Sequence, residues 1–238
     1  MQSPLAVLYP AQCVVCATPI SDDHGLCGKC WAEMPFINGQ ACEKCGAPMI
    51  AEDEEDHLLC DECMTTRRPW RAGRAALVYS GAARGMVLRI KLSDRLDLVP
   101  PAAQWMVRAG RDILHPGAVL VPIPAHWTRV VMRRYNQASE LARAIARLTG
   151  LQVEPTALVR PRRTARQEPL GQTARFENLK GAIQPHPRRG AQLAGRRVVL
   201  VDDVLTSGAT MASAAEACLA AGAADVSILT LARTVKGA

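Results

Sequence analysis

Short apolar runs recur along the chain from about residue 67 onward, separated by stretches of mixed apolar and polar character. Four of these runs have the length and composition of buried β-strands. They are Ala75 to Tyr79, Val119 to Ile123, Val198 to Val201 and Val226 to Leu231. We therefore expect these four segments to form strands inside the protein.

Two of the intervening stretches carry apolar residues at helical spacing. The first contains Leu141, Ile145 and Leu148 and stops at Gly150, and the second contains Met211, Ala215, Cys218 and Leu219 and stops at Gly222. Cys218 lies on the apolar face of the second helix, where a small core residue is more common than a reactive thiol. The alternation of strands and helices predicts an α/β domain with a mostly parallel sheet and flanking helices.

The overall composition is that of a folded globular protein. The chain has 238 residues, 49% of them hydrophobic and 21% charged, with a mean hydropathy near zero. This composition excludes a disordered chain and a membrane protein as classes, and the length allows one or two domains. Residues 1–10 lack a basic segment, and no stretch approaches the roughly 18 unbroken apolar residues of a membrane-spanning helix, so we expect a cytoplasmic protein.

Charge and cysteine content both change at the same point in the chain. Residues 1–66 carry two basic and eleven acidic side chains, whereas residues 67–238 carry 27 basic and 11 acidic ones. Eight of the nine cysteines lie between Cys13 and Cys63. The sequence therefore predicts a small cysteine-rich module at 1–66 and a larger domain at 67–238.

The eight early cysteines form four Cys-x-x-Cys pairs. A two-residue gap lets both thiolates of a tight knuckle point at one ion, and two knuckles supply the four tetrahedral ligands of a structural zinc. The simplest assignment gives Cys13, Cys16, Cys27 and Cys30 to one zinc and Cys42, Cys45, Cys60 and Cys63 to a second. An interleaved pairing fits the spacing as well. With four protein ligands on each ion, the metal should fold the module rather than catalyse.

Disulfides and an iron–sulfur cluster compete with zinc as uses of these cysteines. An even number of cysteines permits a disulfide framework, but a reducing cytoplasm would not preserve one. His24 and His57 lie inside the module, and we expect both on the surface because each ion already has four sulfurs. Structural zinc is the favoured interpretation.

The sharpest motif in the larger domain follows the predicted strand Val198 to Val201. It has the sequence Val-Asp-Asp-Val-Leu-Thr-Ser-Gly-Ala-Thr and covers Val201 to Thr210. Asp202 and Asp203 can accept hydrogen bonds from vicinal hydroxyls, and the turn Thr206 to Thr210 offers backbone amides and hydroxyls at a helix N-terminus, which suits an anion. These features predict a sugar-phosphate site at the carboxyl end of a strand. The alternative is that the two acids only cap the next helix.

This segment resembles the phosphoribosyl pyrophosphate motif of type I phosphoribosyltransferases. More of the chain is similar to the competence protein F (ComF/GntX) family, in which a zinc module precedes a phosphoribosyltransferase domain. The similar segments are Arg89 to Asp94, Val121 to Pro124, Arg134 to Gln137 and Thr164 to Gly181, the last resembling the family's mobile loop. Tyr135 stands where phenylalanine is usual, and Leu92 where an aromatic residue is frequent. The resemblance runs from about Cys13 to Arg233.

The resemblance implies a type I phosphoribosyltransferase-like fold after a double zinc ribbon, and binding of phosphoribosyl pyrophosphate with magnesium. It places the ligand on Asp202, Asp203, Leu205, Thr206, Ser207, Gly208, Ala209 and Thr210, with Pro124 and Ala125 in a pyrophosphate loop and Lys91 and Arg134 as cationic supports. The loop Arg163 to Arg175 would close over the sugar through Gln167 and Arg175. Asp202, Asp203 and Arg175 are the implied catalytic residues.

The same family resemblance implies a role in DNA uptake during natural transformation. Between Arg129 and Arg197 there are 15 basic and four acidic residues, a density that attracts single-stranded DNA. Only Trp127, Tyr135 and Phe176 are available there to stack on bases. Two alternatives stay open, namely an active phosphoribosyltransferase of nucleotide salvage and a zinc-ribbon regulatory protein with a degenerate sugar-phosphate site. His126 is more consistent with a structural role than with a general base.

Overall fold

The computed structural model describes residues 10–21, 25–50, 58–93, 95–125, 135–161 and 181–235. The described helices are α1 (Gly28–Glu33), α2 (Asp61–Thr65), α3 (Gly81–Leu92), α4 (Val99–Ala109), α5 (Gln137–Thr149) and α6 (Ala209–Ala220). The described strands are β1 (Gly73–Val78), β2 (Val119–Pro122), β3 (Gln152–Val153), β4 (Leu158–Val159), β5 (Gln184–Pro185), β6 (Arg197–Leu205) and β7 (Asp225–Arg233). Two short 3-10 helices lie at Leu96–Leu98 and Gly190–Leu193.

Five strands form one parallel sheet in the order β1-β7-β6-β2-β3. The two long central strands pair over their whole length, from Arg197 opposite Asp225 to Leu205 opposite Arg233. β4 and β5 form a separate antiparallel pair. The sheet confirms the predicted parallel α/β architecture, and the cysteine-rich segment precedes it as expected.

All four predicted strands are present, and β6 and β7 both extend beyond their apolar runs. The apolar run predicts an end of β6 at Val201, but the strand continues to Leu205, which places Asp202 and Asp203 inside it. The reason lies in its neighbour, because β7 is equally long and provides hydrogen-bond partners along the whole of β6. The loop before α6 is therefore short and contains only Thr206, Ser207 and Gly208.

Both predicted helices are confirmed, but the buried part of each apolar face ends before the last turn of its helix. α5 begins after Asn136, whose side-chain oxygen accepts the Ala138 N–H at 3.1 Å, and is capped at its end by Gly150 with a left-handed φ of 72°. Leu148 of α5 and Leu219 of α6, both predicted on apolar faces, are 51% and 43% exposed. Each lies in the last turn of its helix, where the helix has passed the edge of the core.

Alternate residues of the central strands face two separate cores. One core contains α3, α4 and α5. The segment around the first four cysteines, residues 10–37, is called the first cysteine segment and adds Val14 and Met34 to this core. The other core contains α6 with its fully buried Cys218. The segment around the next four cysteines, residues 40–70, is called the second cysteine segment and adds Ala47 and Trp70. Burial raises the pKa of Cys218 to about 12, which fits the predicted core role rather than a reactive thiol.

The second cysteine segment covers part of the sheet where a helix is usual. A parallel sheet needs both faces covered, and the core on this face contains α6, the buried Cys63 of the short helix α2 and Leu193 of a 3-10 helix. The Gly73 N–H donates to the Glu43 carbonyl at 2.8 Å. Gly46, with φ of 69°, approaches so closely that a Cβ added there would lie 2.7 Å from the Ala75 nitrogen. The second cysteine segment is therefore an integral layer of the larger fold.

This contact predicts that Gly46→Ala destabilises the protein by more than backbone strain alone. Gly39 has a similar left-handed φ of 82° but no atom within 4 Å of an added Cβ, so Gly39→Ala is a matched control for strain. We expect Gly46→Ala to lower the free energy of unfolding by about 2 kcal/mol more than Gly39→Ala, the usual cost of overpacking. Denaturant unfolding of the two zinc-loaded variants measures the difference. Equal losses would contradict the packing of this segment on β1.

Candidate functional site

The cysteines form two compact groups of four. Cys13, Cys16, Cys27 and Cys30 make one group and Cys42, Cys45, Cys60 and Cys63 the other, and within each group all Sγ atoms lie within 4.8 Å of one another. This is the sequential pairing, not the interleaved one. Tetrahedral coordination with Zn–S bonds of about 2.3 Å places sulfurs about 3.8 Å apart. The Cys16–Cys27 and Cys45–Cys60 Sγ separations are both 3.6 Å, so the two clusters fit structural zinc.

The first Cys-x-x-Cys knuckle of each cluster has the same local structure as that of the other. In each, the N–H of the residue after the second cysteine donates to the carbonyl of the first at 2.8 Å, as in Ala17 to Cys13 and Gly46 to Cys42. Both residues have left-handed φ values, 60° for Ala17 and 69° for Gly46. The later pair of each cluster begins at a helix N-terminus, since Cys27 precedes α1 and Cys60 precedes α2.

The acidic pair lies where one neighbour of β6 ends. β2 pairs with β6 as far as Pro122 opposite Val201, and the Ile123 N–H makes one further bond to the Val201 carbonyl at 2.9 Å. From Asp202 onward, β7 is the one described strand that still pairs with β6. One edge of β6 is therefore no longer paired with β2 at the carboxyl end of the sheet, which is where open α/β sheets bind ligands.

The two carboxylates have different surroundings. Asp203 is buried and its Oδ1 lies 2.9 Å from the Lys91 Nζ at the end of α3. Asp202 is half-buried and its Oδ1 accepts the Asp203 N–H at 2.9 Å. Burial, followed by the charge of Asp203, raises the pKa of Asp202 to about 7, against the opposing effects of Lys91 and Arg160. The site therefore holds one paired carboxylate beside one that titrates near neutrality.

Three segments of the family resemblance meet beside this pair. The Tyr135 hydroxyl donates to the Ile90 carbonyl at 2.6 Å, and the Gln137 side-chain amide reaches the Lys91 carbonyl at 3.5 Å. The Asn136 side-chain amide donates to the Ile123 carbonyl at 2.9 Å. Tyr135 to Gln137 thus connects the end of α3 to the end of β2 and positions Lys91 next to the acids.

The loop between β6 and α6 presents an anion-binding geometry. Gly208 is the N-cap of α6, with a left-handed φ of 81° and no side chain, and the Ala209 N–H makes a long bond of 3.5 Å to the Ser207 hydroxyl. Thr206 is exposed, and Ser207 and Thr210 are half-buried. The N–H groups of a helix N-terminus and the helix dipole together favour a phosphate at this position.

Two buried arginines, which sequence reasoning missed, hold this loop from beneath. The Arg68 guanidinium donates to the Ser207 carbonyl at 2.8 Å and to Glu62 Oε1 at 2.7 Å. Arg233 donates to the Thr206 carbonyl, and to Glu62 Oε2 at 2.9 Å. A Cβ added at Gly208 would lie 2.7 Å from an Arg68 nitrogen. No local pattern signals this network, because its members come from residues far apart in sequence.

The other predicted site residues divide into two groups. Leu205 and Ala209 are buried beside the loop, and Pro124 and Ala125 follow β2 and are half-buried. Arg134, Gln167 and Arg175, together with His126 and the predicted mobile loop, lie outside the described residues. Lys91, expected as a support for pyrophosphate, is paired with Asp203 in this structure.

Comparison with known families covers both parts of the chain. The Double zinc ribbon domain family matches residues 4–70, and the Phosphoribosyl transferase domain family matches residues 136–237. DNA utilization protein YhgH of Escherichia coli (strain K12) is 28% identical over 95% of this chain and 98% of its own length. Along nearly its whole length, the chain is similar to the ComF/YhgH family.

Two further relatives bear competence names. Competence protein F of Haemophilus influenzae is 25% identical over 88% of this chain and 91% of its own length. Competence protein ComFC of Bacillus subtilis is 25% identical over 90% of this chain and 87% of its own. The crystal structure of TT1426 from Thermus thermophilus aligns with a TM-score of 0.36 and 14% identity over 59% of this chain and 85% of that one, a likeness too weak to define the fold.

The arginine network joins the two regions of the chain that match the two domain families. The zinc-ribbon match includes Glu62 and Arg68, and the phosphoribosyltransferase match includes the loop and Arg233. The candidate phosphate loop is therefore supported by residues of the zinc-ribbon region.

Among the described helices, none is long and apolar enough to span a membrane.

The raised pKa of Asp202 predicts a pH-dependent cost to stability. The folded-state pKa of about 7 lies above the ordinary carboxyl value of about 3.9, so folding favours the protonated form, and stability falls as pH rises between these values. Asp202→Asn removes this cost. We expect the variant to be more stable than wild type at pH 8, with an advantage on the order of 1 kcal/mol larger than at pH 6.

Thermal unfolding at the two pH values measures this difference. Asp203→Asn serves as the contrast, because it deprives Lys91 of its partner and should lower the Tm at both pH values. An effect of Asp202→Asn that is the same at pH 6 and pH 8 would contradict the buried, ionisable environment of Asp202.

Proposed function

We propose that this protein binds phosphoribosyl pyrophosphate with magnesium and serves the handling of single-stranded DNA in transformation or DNA utilisation. The observation that supports the ligand is the adjacency of an acidic pair and an outward-facing amide loop at the open end of β6. Carboxylates suit the vicinal hydroxyls of ribose, and loop amides suit its 5′-phosphate. One ribose 5-phosphate unit spans both features.

The two acids take different parts in this proposal. Lys91 engages Oδ1 of Asp203 and fixes that carboxylate, which leaves its other oxygen to accept a ribose hydroxyl. Asp202, with a pKa of about 7, becomes fully charged only above neutral pH. Hydrogen bonds from ribose hydroxyls to it should therefore strengthen between pH 6 and pH 8.

The phosphate end is bound by the loop and the start of α6. Amides of Thr206 to Gly208 and of the first helical turn donate to the phosphate oxygens, and the hydroxyls of Thr206, Ser207 and Thr210 add donors at the rim. Arg68 and Arg233 lie beneath the loop and add positive potential without contacting the ligand. All these groups are present before the ligand binds, so little ordering is needed.

The pyrophosphate end uses the loop after β2. Pro124 and Ala125 follow β2, the strand that pairs with β6 up to the residue before the acidic pair, and Arg134 is the proposed cationic support. Bound magnesium would neutralise charge on the pyrophosphate. Magnesium prefers oxygen ligands, and the carboxylates of Asp202 and Asp203 could supply them. Arg175 and Gln167 are proposed to contact the sugar from the loop that precedes Gly181.

Zinc is the proposed occupant of both cysteine clusters. The four sulfurs of each cluster have the separations that tetrahedral zinc requires, and all ligand positions are filled by protein. We assign both ions a structural role. We place the boundary between the zinc module and the larger domain near residue 66. The contacts of the second cluster with the sheet make the two parts one folding unit.

The DNA-handling role is supported by the relatives and by charge. The relatives are named DNA utilization protein YhgH, Competence protein F and Competence protein ComFC. The basic segment is the stretch from Arg129 to Arg197. Its exposed described arginines include Arg147, Arg188 and Arg197. Exposed arginines on a chain with a net charge of +7 attract the phosphates of a single strand.

The ligand proposal predicts magnesium-dependent binding of phosphoribosyl pyrophosphate by calorimetry. Ribose 5-phosphate should bind more weakly, and ATP should compete poorly. Asp203→Asn retains the shape but removes a charge-assisted hydrogen bond, a loss of about 2 kcal/mol or roughly 30-fold in affinity. Gly208→Val should also weaken binding, because the added side chain strains the left-handed backbone and meets Arg68.

Gly195→Val is the matched control for Gly208→Val. Gly195 has a left-handed φ of 69° and is exposed, with no atom within 4 Å of an added Cβ. We expect this variant to bind phosphoribosyl pyrophosphate as wild type does. The ligand proposal fails if wild type shows no magnesium-dependent binding, or if Asp203→Asn and Gly208→Val bind normally.

The DNA proposal predicts affinity for a labelled single-stranded oligonucleotide that falls steeply with salt. Each lost phosphate contact should reduce the slope of log affinity against log salt by about 0.7. Arg188→Gln should reduce the slope by one such step, whereas Arg95→Gln, which removes the same charge outside the basic segment, should leave it unchanged. Fluorescence anisotropy between 50 and 300 mM salt, on the order of physiological ionic strength, measures both. Salt-independent or absent binding would remove DNA from the proposal.

A further inference from the structure

Glu62 connects the second cysteine cluster to the phosphate loop. It lies in α2, immediately before the cluster residue Cys63, and its two carboxylate oxygens bind Arg68 at 2.7 Å and Arg233 at 2.9 Å. The side chains of Arg68 and Arg233 are only 2% and 4% exposed, and that of Glu62 is 18% exposed. A buried pair of guanidiniums thus shares one carboxylate that belongs to the zinc-ribbon region.

The arginines bind the carbonyls of two loop residues and of the last residue of β6. Arg233 donates to the Thr206 carbonyl, and Arg68 donates to the Ser207 carbonyl at 2.8 Å. The Leu205 carbonyl accepts from Arg233 at 3.3 Å and from the Thr234 N–H at 3.0 Å. The described peptide bonds are all trans, so each N–H points away from the carbonyl that precedes it. The arginines therefore set the direction of the Ser207 and Gly208 amides, and they share that of the Thr206 amide with the backbone of Thr234.

The helix that carries Glu62 is held at two points by the second cluster. Cys60 immediately precedes α2, and Cys63 lies within it and is buried. Both belong to the second group of four sulfurs. Zinc bound by this cluster would fix both cysteines, and with them the position of Glu62 between them. The second cluster therefore controls where the carboxylate meets Arg68 and Arg233.

The first cluster has no comparable connection among the described residues. Its segment packs against the opposite core through Val14 and Met34, and the Val15 carbonyl accepts a hydrogen bond from Arg89 at 2.9 Å. Loss of zinc there should loosen the contact with α3 without releasing the carbonyls of the phosphate loop. The two clusters are thus structural repeats with different neighbours.

We propose that Glu62, Arg68 and Arg233 are positioning residues of the phosphate loop, and that zinc in the second cluster, but not in the first, sets the loop's affinity for a phosphate monoester. The affinity part of this inference rests on the proposed sugar-phosphate function. The orientation of the loop does not, because it can be measured without any ligand.

One experiment compares Cys60→Ser with Cys27→Ser. The two cysteines are equivalent in their clusters, since each precedes a short helix and each has a partner Sγ at 3.6 Å. Native mass spectrometry should give two zinc ions for wild type and one for either variant. Amide hydrogen exchange of the peptide covering Thr206 to Gly208 should accelerate about tenfold in Cys60→Ser and stay at the wild-type rate in Cys27→Ser, within the usual range of site coupling.

A second pair keeps all eight cysteines and guards against unfolding of the cysteine variants. Glu62→Gln retains the size of the side chain but can no longer accept from both arginines, whereas Asp61→Asn changes the charge of the neighbouring exposed residue. Both should retain two zinc ions. Glu62→Gln should accelerate loop exchange and weaken calorimetric binding of ribose 5-phosphate about tenfold, and Asp61→Asn should change neither.

The outcomes separate this inference from the proposed function. If wild type does not bind ribose 5-phosphate, the proposed function fails, and the exchange rates still decide whether Glu62 and the second cluster orient the loop. The inference is overturned if Glu62→Gln leaves loop exchange at the wild-type rate. It is also overturned if Cys27→Ser accelerates loop exchange as much as Cys60→Ser does.

Discussion

The parallel pairing of β6 with β7 extends beyond the end of β2, and the candidate site depends on this difference in strand length. Beside β2, the residues of β6 are apolar and fully buried between two cores. Beyond Val201, β7 is the one described strand that remains as a neighbour, and polar side chains can stand at the open edge while the backbone stays hydrogen-bonded. The strand thus fixes the backbone of Asp202 and Asp203 by hydrogen bonds to β7. If the two acids lay in a flexible loop, ordering that loop would cost binding energy.

Local signals in the sequence were sufficient for the parts of the site that are contiguous in the chain. The Cys-x-x-Cys spacing indicated the two clusters because each knuckle is a short-range structure, and the Thr-Ser-Gly turn indicated the helix N-terminus for the same reason. The end of β6 was misjudged at Val201, because the apolar run stops there while the hydrogen bonds continue on the β7 side. Apolar spacing also placed Leu148 and Leu219 on the buried faces of their helices, but both are exposed. The spacing does not show where along its length a helix stops packing on the sheet.

The parts that sequence reasoning missed are all long-range. Glu62, Arg68 and Arg233 are ordinary charged residues by local context, and only the fold brings them together beneath the loop. The sequence predicts Lys91 as a cationic support, but its contact with Asp203 depends on the bonds from Tyr135 and Gln137 to the end of α3. Buried charge networks of this kind have no sequence period, so they become visible only in three dimensions.

The position of β7 in the middle of the sheet has a consequence for synthesis of the chain. β1 pairs with β7 alone among the described strands, and β7 is the last of them in sequence although it lies between β1 and β6. On the ribosome, the N-terminal cysteine segments emerge first, but the strand on which the second segment packs finds its neighbour only after residue 233 has been made. Such pairing between distant segments is slow to form. Until then the nascent chain must carry its metal-binding knuckles, and the buried side of Glu62, without the sheet that covers them.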